Sequence, residues 1–376
     1  MKIIANAADL RSVLKRACEV VPSKGIIPEQ SCVFIQSKDD AVTVSGQSET
    51  AGVTLSLSCD VLSEGEALVP SRMLLDYVSL AEGSVELSLD AKNVLTVKSG
   101  KKKSTVACLE TERFRPLRFD GSPVFSAKGA DLAACIDRVS FAVSSDETRA
   151  VLCGVHIAVD CVGKATFVAL DGLKVSLCEM KVAGAKVPPE GLEITVPGAV
   201  LKLITSLFSG AESVSLSLEK YRAMLYADGC SLSFPLIAKE YPQWQRIIPP
   251  TYGASMRVSA RPLLDALSLT AIAASASAKN RQGLVRLDAD GEASCIRFSV
   301  TNDVTEAGTD VDCDMTGQDM TIYFNVNFMR AVCSACAKDD GELRIDFSTP
   351  LGPCRVSPLR SDYSLTTFVM PVRQQP

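Results

Sequence analysis

The sequence predicts an α+β protein built from three similar units, each a set of antiparallel strands interrupted by two helices. Two observations predict it: a strand pattern that occurs three times, and a helix signal that stands ahead of each copy. The strand is Val85-Glu86-Leu87-Ser88-Leu89, whose apolar and polar residues alternate as in a half-buried strand. The pattern returns as Val214-Ser215-Leu216-Ser217-Leu218 and as Leu343-Arg344-Ile345-Asp346-Phe347. The copies lie about 130 residues apart, a typical domain length.

Ahead of them stand Val69-Pro70-Ser71-Arg72-Met73-Leu74-Leu75, Val196-Pro197-Gly198-Ala199-Val200-Leu201 and Asn325-Val326-Asn327-Phe328-Met329-Arg330. Each reads as a strand end followed by a short helix. Proline is expected in the first turn, where its missing N–H has no helical partner. Each unit also opens with a helix. Leu10, Val13, Leu14, Ala17 and Val21 form the first apolar stripe, and Leu132, Ile136 and Val139 the second. The third opens at Ser259-Ala260-Arg261-Pro262 and continues Leu263-Leu264-Asp265-Ala266-Leu267. Further strands follow at Ala41–Val44, Ala165–Ala169 and Ile296–Val300. Turn-rich boundaries near Gly121-Ser122-Pro123 and Pro249–Gly253 divide the chain into 1–122, 123–251 and 252–376. Strand runs separated by single helices read as antiparallel sheet.

Composition narrows the function classes. The 376 residues are 47% hydrophobic and 22% charged, ordinary for a soluble globular protein. No apolar run reaches the roughly 20 residues that span a bilayer, so no membrane partner is expected. The N-terminus meets a helix cap at once and does not read as a signal peptide. Fourteen cysteines with no secretory signal point to reduced thiols in a cytoplasm. The net charge of −5 argues against a protein that grips nucleic acid by affinity. It leaves open one linked to DNA by topology.

The motifs that suggest chemistry have simpler readings. Cys333-Ser334-Ala335-Cys336 lacks the second pair of a zinc or redox site and reads as buried helix cysteines. His156, the only histidine, lies in a strand pattern without a nucleophile partner. Gly100-Lys101-Lys102-Lys103-Ser104 lacks the upstream glycine of a phosphate loop and reads as a hairpin turn. Asp288-Ala289-Asp290-Gly291-Glu292 places its glycine too early for a calcium loop and also reads as a turn. No cofactor is expected, and no carboxylate pair or nucleophile–base pair points to an enzyme. Asp310, Asp312 and Asp314 share one strand face, which must be solvated and would repel phosphate. Basic residues lie instead on or near the helices: Arg11, Lys15 and Arg16, then Arg72, Arg138, Lys202, Arg261 and Arg330. The placement suggests basic helices on one side and acidic sheets on the other.

Five segments, in register on this triplication, resemble the bacterial DNA polymerase III beta subunit family, the sliding clamps. They are Asp146–Gly154, Ala169–Val175, Glu240–Pro249, Phe324–Val326 and Phe368–Arg373. The resemblance covers nearly the whole chain. It implies the DNA clamp fold: a head-to-tail homodimeric ring of six domains, with sheets outside and helices lining a central hole. It implies a processivity factor without catalysis, which encircles duplex DNA irrespective of sequence. The implied partners are the DNA polymerase III alpha subunit, other DNA polymerases, the clamp loader and repair proteins, and the implied location is the cytoplasm at the nucleoid. The alternative is a clamp-fold adaptor or regulator without ring closure.

The resemblance also implies a pocket for short partner peptides between the second and third domains. Its positions fall on Arg149, Leu152, Leu170, Gly172, Leu173, Lys174, Val175, Pro242, Arg246 and Ile247. From the third domain they fall on Asn325, Phe328, Leu351, Pro353, Phe368, Val369, Met370, Pro371, Val372 and Arg373. Arg149, Lys174, Arg246 and Arg373 would form a polar rim. Where the family usually has Thr-Asp-Gly-His-Arg-Leu, this chain has Leu170-Asp171-Gly172-Leu173-Lys174-Val175, a more apolar rim without the bidentate arginine fork. It also extends beyond Arg373 by Gln374-Gln375-Pro376. DNA contacts are expected at Lys24, Arg11, Lys15, Arg72, Arg138 and Lys202, and the dimer contact at Val106 and Ile272.

Overall fold

The structure is a computed structural model that describes residues 1–115, 119–277, 283–338 and 341–373. The expectation for the tail after Arg373 falls on residues 374–376, outside this set. Three opening helices, α1 (Ala7–Val20), α3 (Gly129–Val139) and α5 (Ala260–Ser275), alternate with three second helices, α2 (Ser71–Ser79), α4 (Gly198–Phe208) and α6 (Val326–Cys336).

The triplication is written in the hydrogen bonds. The first residue of each opening helix donates its N–H to a turn that precedes a strand of the same unit. The pairs are Ala7 N to Gly83 O at 2.8 Å, Gly129 N to Ala211 O at 3.0 Å and Ala260 N to Gly341 O at 2.8 Å. The strands that follow these turns, Ser84–Leu89, Val214–Glu219 and Glu342–Phe347, are the three copies of the alternating pattern. Each pairs antiparallel with the strand that leads into the opening helix, as in Ala254↔Phe347. Asn6 caps α1 through Ala8 N, and Asn325 caps α6 through Asn327 N and Phe328 N, each with a side-chain oxygen taking up otherwise orphaned donors. Pro70 and Pro197 are not inside the first turn, as the sequence suggested. They end the strands Gly65–Pro70 and Leu192–Pro197, where φ is already fixed and no following ladder bond is lost.

The chain forms two compact units, and the second repeat contributes to both. In the first unit, residues 1–133, 182–186 and 199–236, the strand Cys230–Pro235 pairs with Gly52–Leu57, Cys230 opposite Leu55 and Ser233 opposite Gly52. The last strand of the second repeat thus continues a sheet of the first. In the second unit, residues 134–181, 187–198 and 237–376, Lys174–Lys181 pairs with Ser364–Val369. The ladder runs from Lys174↔Val369 to Glu179↔Ser364 and joins the second repeat to the third.

Cores in both units are largely aliphatic, with fully buried Phe208 and Phe234 in the first and Phe167, Phe298, Phe324, Phe347 and Phe368 in the second. Cys333 and Cys336 are buried on α6, as expected for cysteines used as small hydrophobes. Gly100, at φ +57°, turns the hairpin between Val94–Ser99 and Lys102–Ala107, and residues 291–294 turn that between Leu284–Asp290 and Cys295–Thr301. Asp310, Asp312 and Asp314 are exposed while Val311 and Cys313 are buried, and Asp310 holds Arg297 at 2.6 Å. No helix among the described residues is long and apolar enough to cross a membrane.

Candidate peptide pocket and DNA-facing residues

The candidate pocket begins with a tight turn. Asp171 Oδ1 accepts the N–H groups of Leu173 and Lys174, both at 2.9 Å, and Gly172 takes φ +94°. A Cβ on Gly172 would meet Arg149 Nη1 at 3.1 Å, so the glycine lets Arg149 lie over the turn. Arg149 is itself tied to Asp146 at 3.0 Å. The turn leaves Leu173 half out of the protein, 49% exposed.

From this turn the strand Lys174–Lys181 runs between Lys164–Leu170 and Ser364–Val369. Leu170 faces Val175, Val175 faces Phe368, and Val168 faces Leu177. Alternation places all five on one face of the sheet. There they form an apolar cluster with Leu152 and Tyr241, and Val151, Trp244 and Ile247 pack against it half-buried. The other face belongs to the helices: Ser176 Oγ donates to Arg138 O on α3, and Cys336 Sγ of α6 lies 3.5 Å from Thr367 Oγ1.

This geometry sorts the expected residues. Leu152, Leu170, Val175, Ile247 and Phe368 come together as one apolar site. Met370 N donates to Leu173 O and Val372 N to Tyr323 O, which ties down the half-buried Met370-Pro371-Val372 segment before exposed Arg373. Leu351 is 60% exposed on the turn closed by Gly352 N to Thr349 O, with Pro353 beside it.

Four residues depart from the expectation. Val369, fully buried, alternates with Phe368 and so points to the helix face. Lys174 points there too, ion-paired with Asp171 and 5.3 Å from the centre of the half-buried Phe328 ring, so its charge is already paired and Phe328 lies on the helix side of the sheet. The Asn325 side chain is engaged in capping α6.

Sequence reading missed Val168, Leu177, Tyr241 and Trp244. Alternation along Lys164–Leu170 and Lys174–Lys181 carried the signal for the first two. Tyr241 and Trp244 lie in an irregular segment with no period to read. Pro242 and Arg246 are exposed and line the opposite side of that segment.

Of the basic residues, Lys15, Lys24, Arg72 and Lys202 are exposed. Arg11 is not available: its Nη2 donates to Ala81 O at 2.9 Å and Val78 O at 3.3 Å, holding the end of α2. Arg138 is also engaged, with Nη1 on Ala134 O at 3.0 Å and its guanidinium 4.3 Å over the Tyr363 ring. The helix faces are less basic than expected, since Asp9, Glu19, Asp76 and Asp265 are exposed on α1, α2 and α5. Ile272 is 72% exposed on α5, whereas Val106 is 2% exposed, its side chain turned into its own sheet's core.

Three successive family models match the chain: the N-terminal domain of the DNA polymerase III beta subunit over residues 1–118, the central domain over 127–243 and the C-terminal domain over 245–373. The beta sliding clamp of Synechococcus elongatus is 23% identical, over 99% of both chains. That of Caulobacter vibrioides is 25% identical, over 99% of this chain and 100% of the other. Among solved structures, the beta subunit of Streptococcus pyogenes superposes with a TM-score of 0.92 at 20% identity, over 100% of both chains. A Pseudomonas aeruginosa sliding clamp bound to griselimycin superposes at 0.89 and 22% identity, again over 100% of both.

Proposed function

The chain belongs to the DNA polymerase III beta subunit family, the beta sliding clamps, and from that premise we propose how its repeats close on DNA and how its pocket holds partners. It is a processivity factor of DNA replication and not an enzyme. The proposed domains are 1–122, 123–251 and 252–376.

One observation carries the ring. Each repeat ends in a strand, and two of these three strands continue the sheet of another repeat within the chain. The third, Lys102–Ala107, pairs only with Val94–Ser99 among the described residues. Its missing counterpart is also present. Residues 306–311, equivalent to Gly52–Leu57 and Lys174–Lys181, pair only with Cys295–Thr301 among the described residues. A second copy, placed head to tail, supplies each open edge with its partner and closes both. Exposed Ile272 packs beside this contact. The closed dimer surrounds duplex DNA with its helices inward and its sheets outward. Lys24, Lys15, Arg72 and Lys202 make weak, water-screened phosphate contacts that permit sliding. A net charge of −5 suits a protein retained by topology rather than affinity.

The apolar cluster with exposed Leu173 beside it takes short apolar peptide segments of the DNA polymerase III alpha subunit, other polymerases, the clamp loader and repair proteins, in the cytoplasm at the nucleoid. Griselimycin, which a Pseudomonas aeruginosa clamp binds, is expected to bind the same cluster here.

Sedimentation at micromolar concentration tests the closure. The wild type should run as a dimer and Ile272→Asp as a monomer of unchanged circular dichroism. A monomeric wild type would instead support a clamp-fold adaptor without ring closure.

A further inference from the structure

The only histidine and the only tryptophan of the chain line one cleft. His156 and Trp244 share it with Glu193, Glu240, Tyr241 and Arg246. His156 is 4% exposed, and its ring stacks on Tyr241 with centroids 4.5 Å apart and planes 11° from parallel. Its Nδ1 lies 3.3 Å from Thr195 Oγ1, and its Nε2 lies 3.8 Å from Glu193 at the exposed mouth of the cleft. Tyr241 belongs to the apolar cluster of the pocket, and Trp244 and Ile247 pack on that cluster one turn further on. His156 thus supports, from behind, the segment that forms one side of the pocket.

The first repeat shows what this position is for. Cys32 faces Pro70 and Gly154 faces Pro197, and both prolines end the strand before a second helix. Two residues on, Phe34 faces Leu68 and His156 faces Thr195, so Phe34 and His156 are equivalent. Phe34 also stacks on an aromatic ring from a later segment, Phe114, at 5.0 Å and 13°. The first two repeats share this stack, whereas the third carries Arg286 at the position, facing Tyr323. In the second repeat the apolar Phe–Leu pair of the first has become a titratable His–Thr pair.

We propose that His156 is a positioning residue for the peptide pocket: the neutral imidazole seats Tyr241 and the Trp244–Ile247 turn against the apolar cluster, and protonation of the ring unseats them. The proposal rests on the pocket reading above. The surroundings favour the neutral ring. The strand carrying His156, Gly154–Val159, has no other ionisable group. Val168 faces it from Lys164–Leu170, whose one charge, Lys164, is held by Glu179 at 2.8 Å. Leu192–Pro197 brings Glu193, and the segment after it brings Glu240, Tyr241 and Arg246. Burial pushes the imidazole below its ordinary value, and Glu193 offsets part of this. The sign follows: the contribution of the seated ring is present above the ordinary histidine range and is lost as pH falls through the lowered value. A charged ring is drawn out toward Glu193, and the stack opens.

One histidine and one tryptophan make the test direct. Wild-type protein is taken from pH 8 to pH 5, following the single imidazole by proton NMR and Trp244 by its emission. The expected result is a red shift of Trp244 that tracks the imidazole titration, with far-UV circular dichroism unchanged. His156→Phe, which installs the residue of the first repeat, should remove the shift; His156→Leu serves as the second non-titrating variant. Griselimycin affinity should fall about fivefold over the same span in the wild type, the lower end of ordinary site coupling, and stay level in His156→Phe. Emission that stays flat through the titration, the same shift in both variants, or an imidazole neutral until the protein unfolds overturns the proposal. If griselimycin does not bind, or ignores Ile247→Ala, the pocket reading fails while the coupling of His156 to Trp244 is still decided by emission.

Discussion

The two strand junctions inside this chain share one topology and differ in the face they turn away from the helices. In the first unit the positions of that face at the junction itself are hydroxylic, beside the apolar Phe34–Leu68 pair. Ser45 Oγ and Thr54 Oγ1 lie 2.9 Å apart, Ser231 Oγ donates to Thr54 O and Ser233 Oγ to Gly52 O. In the second unit the equivalent positions are Val168, Leu177, Thr366 and Phe368: Val168 faces Leu177, Leu177 faces Thr366, and Phe368 faces Val175. Hydroxyls that satisfy themselves and the backbone leave nothing for an apolar guest. Valine, leucine and phenylalanine at the same sites create an apolar surface, against which Leu152, Tyr241, Trp244 and Ile247 pack. Side-chain identity on one sheet face, within a repeated backbone, therefore sets apart the junction that we propose as the peptide pocket.

Making the second junction resemble the first should have the largest effect. Phe368→Ser, which copies Ser233, should cost about 3–5 kcal/mol of stability, the range for emptying a buried phenylalanine site. Denaturant unfolding measures it, and a loss under about 1 kcal/mol would mean that the cluster is not a packed core. Ile247→Ala with Met370→Ala should weaken peptide or griselimycin binding by about 2 kcal/mol, as for central contacts of an interface, with an unchanged dimer in sedimentation. Unaltered affinity in a binding titration would place the pocket elsewhere. Gly172→Ala imposes a side chain at φ +94° against Arg149 and should cost about 1–2 kcal/mol, read as a lower melting temperature. Ser45→Ala removes one hydroxyl contact of the first unit and should cost about 1 kcal/mol without touching peptide affinity. A change in that affinity would show that the two junctions are not independent.

Much of this was legible in the sequence, for physical reasons. Alternation in Val85–Leu89 and its copies, and the apolar stripes of the opening helices, are local patterns, and the structure keeps them. Alternation also told the inner side of a strand from the outer. Applied to Lys102–Ala107, it would have turned Val106 inward between exposed Thr105 and Ala107. Arg11 and Arg138 show where local reading stops. Both look like solvent-facing helix charges, but Arg11 reaches carbonyls 67 and 70 residues away, and the Tyr363 under Arg138 belongs to another repeat. Tyr241 and Trp244 are the same case in an irregular segment, where burial depends entirely on the sheet that the segment crosses.

The central claim is that two copies close around DNA by pairing the edges left open in each. It is tested most directly by loading the protein on nicked circular DNA and passing the complex through a gel-filtration column before and after one restriction cut. The account predicts that protein stays with the circle through repeated washes and is lost from the linear form, at a rate that depends little on salt. Equal retention on both forms, falling steeply with salt, would mean that the protein holds DNA by charge and not by topology.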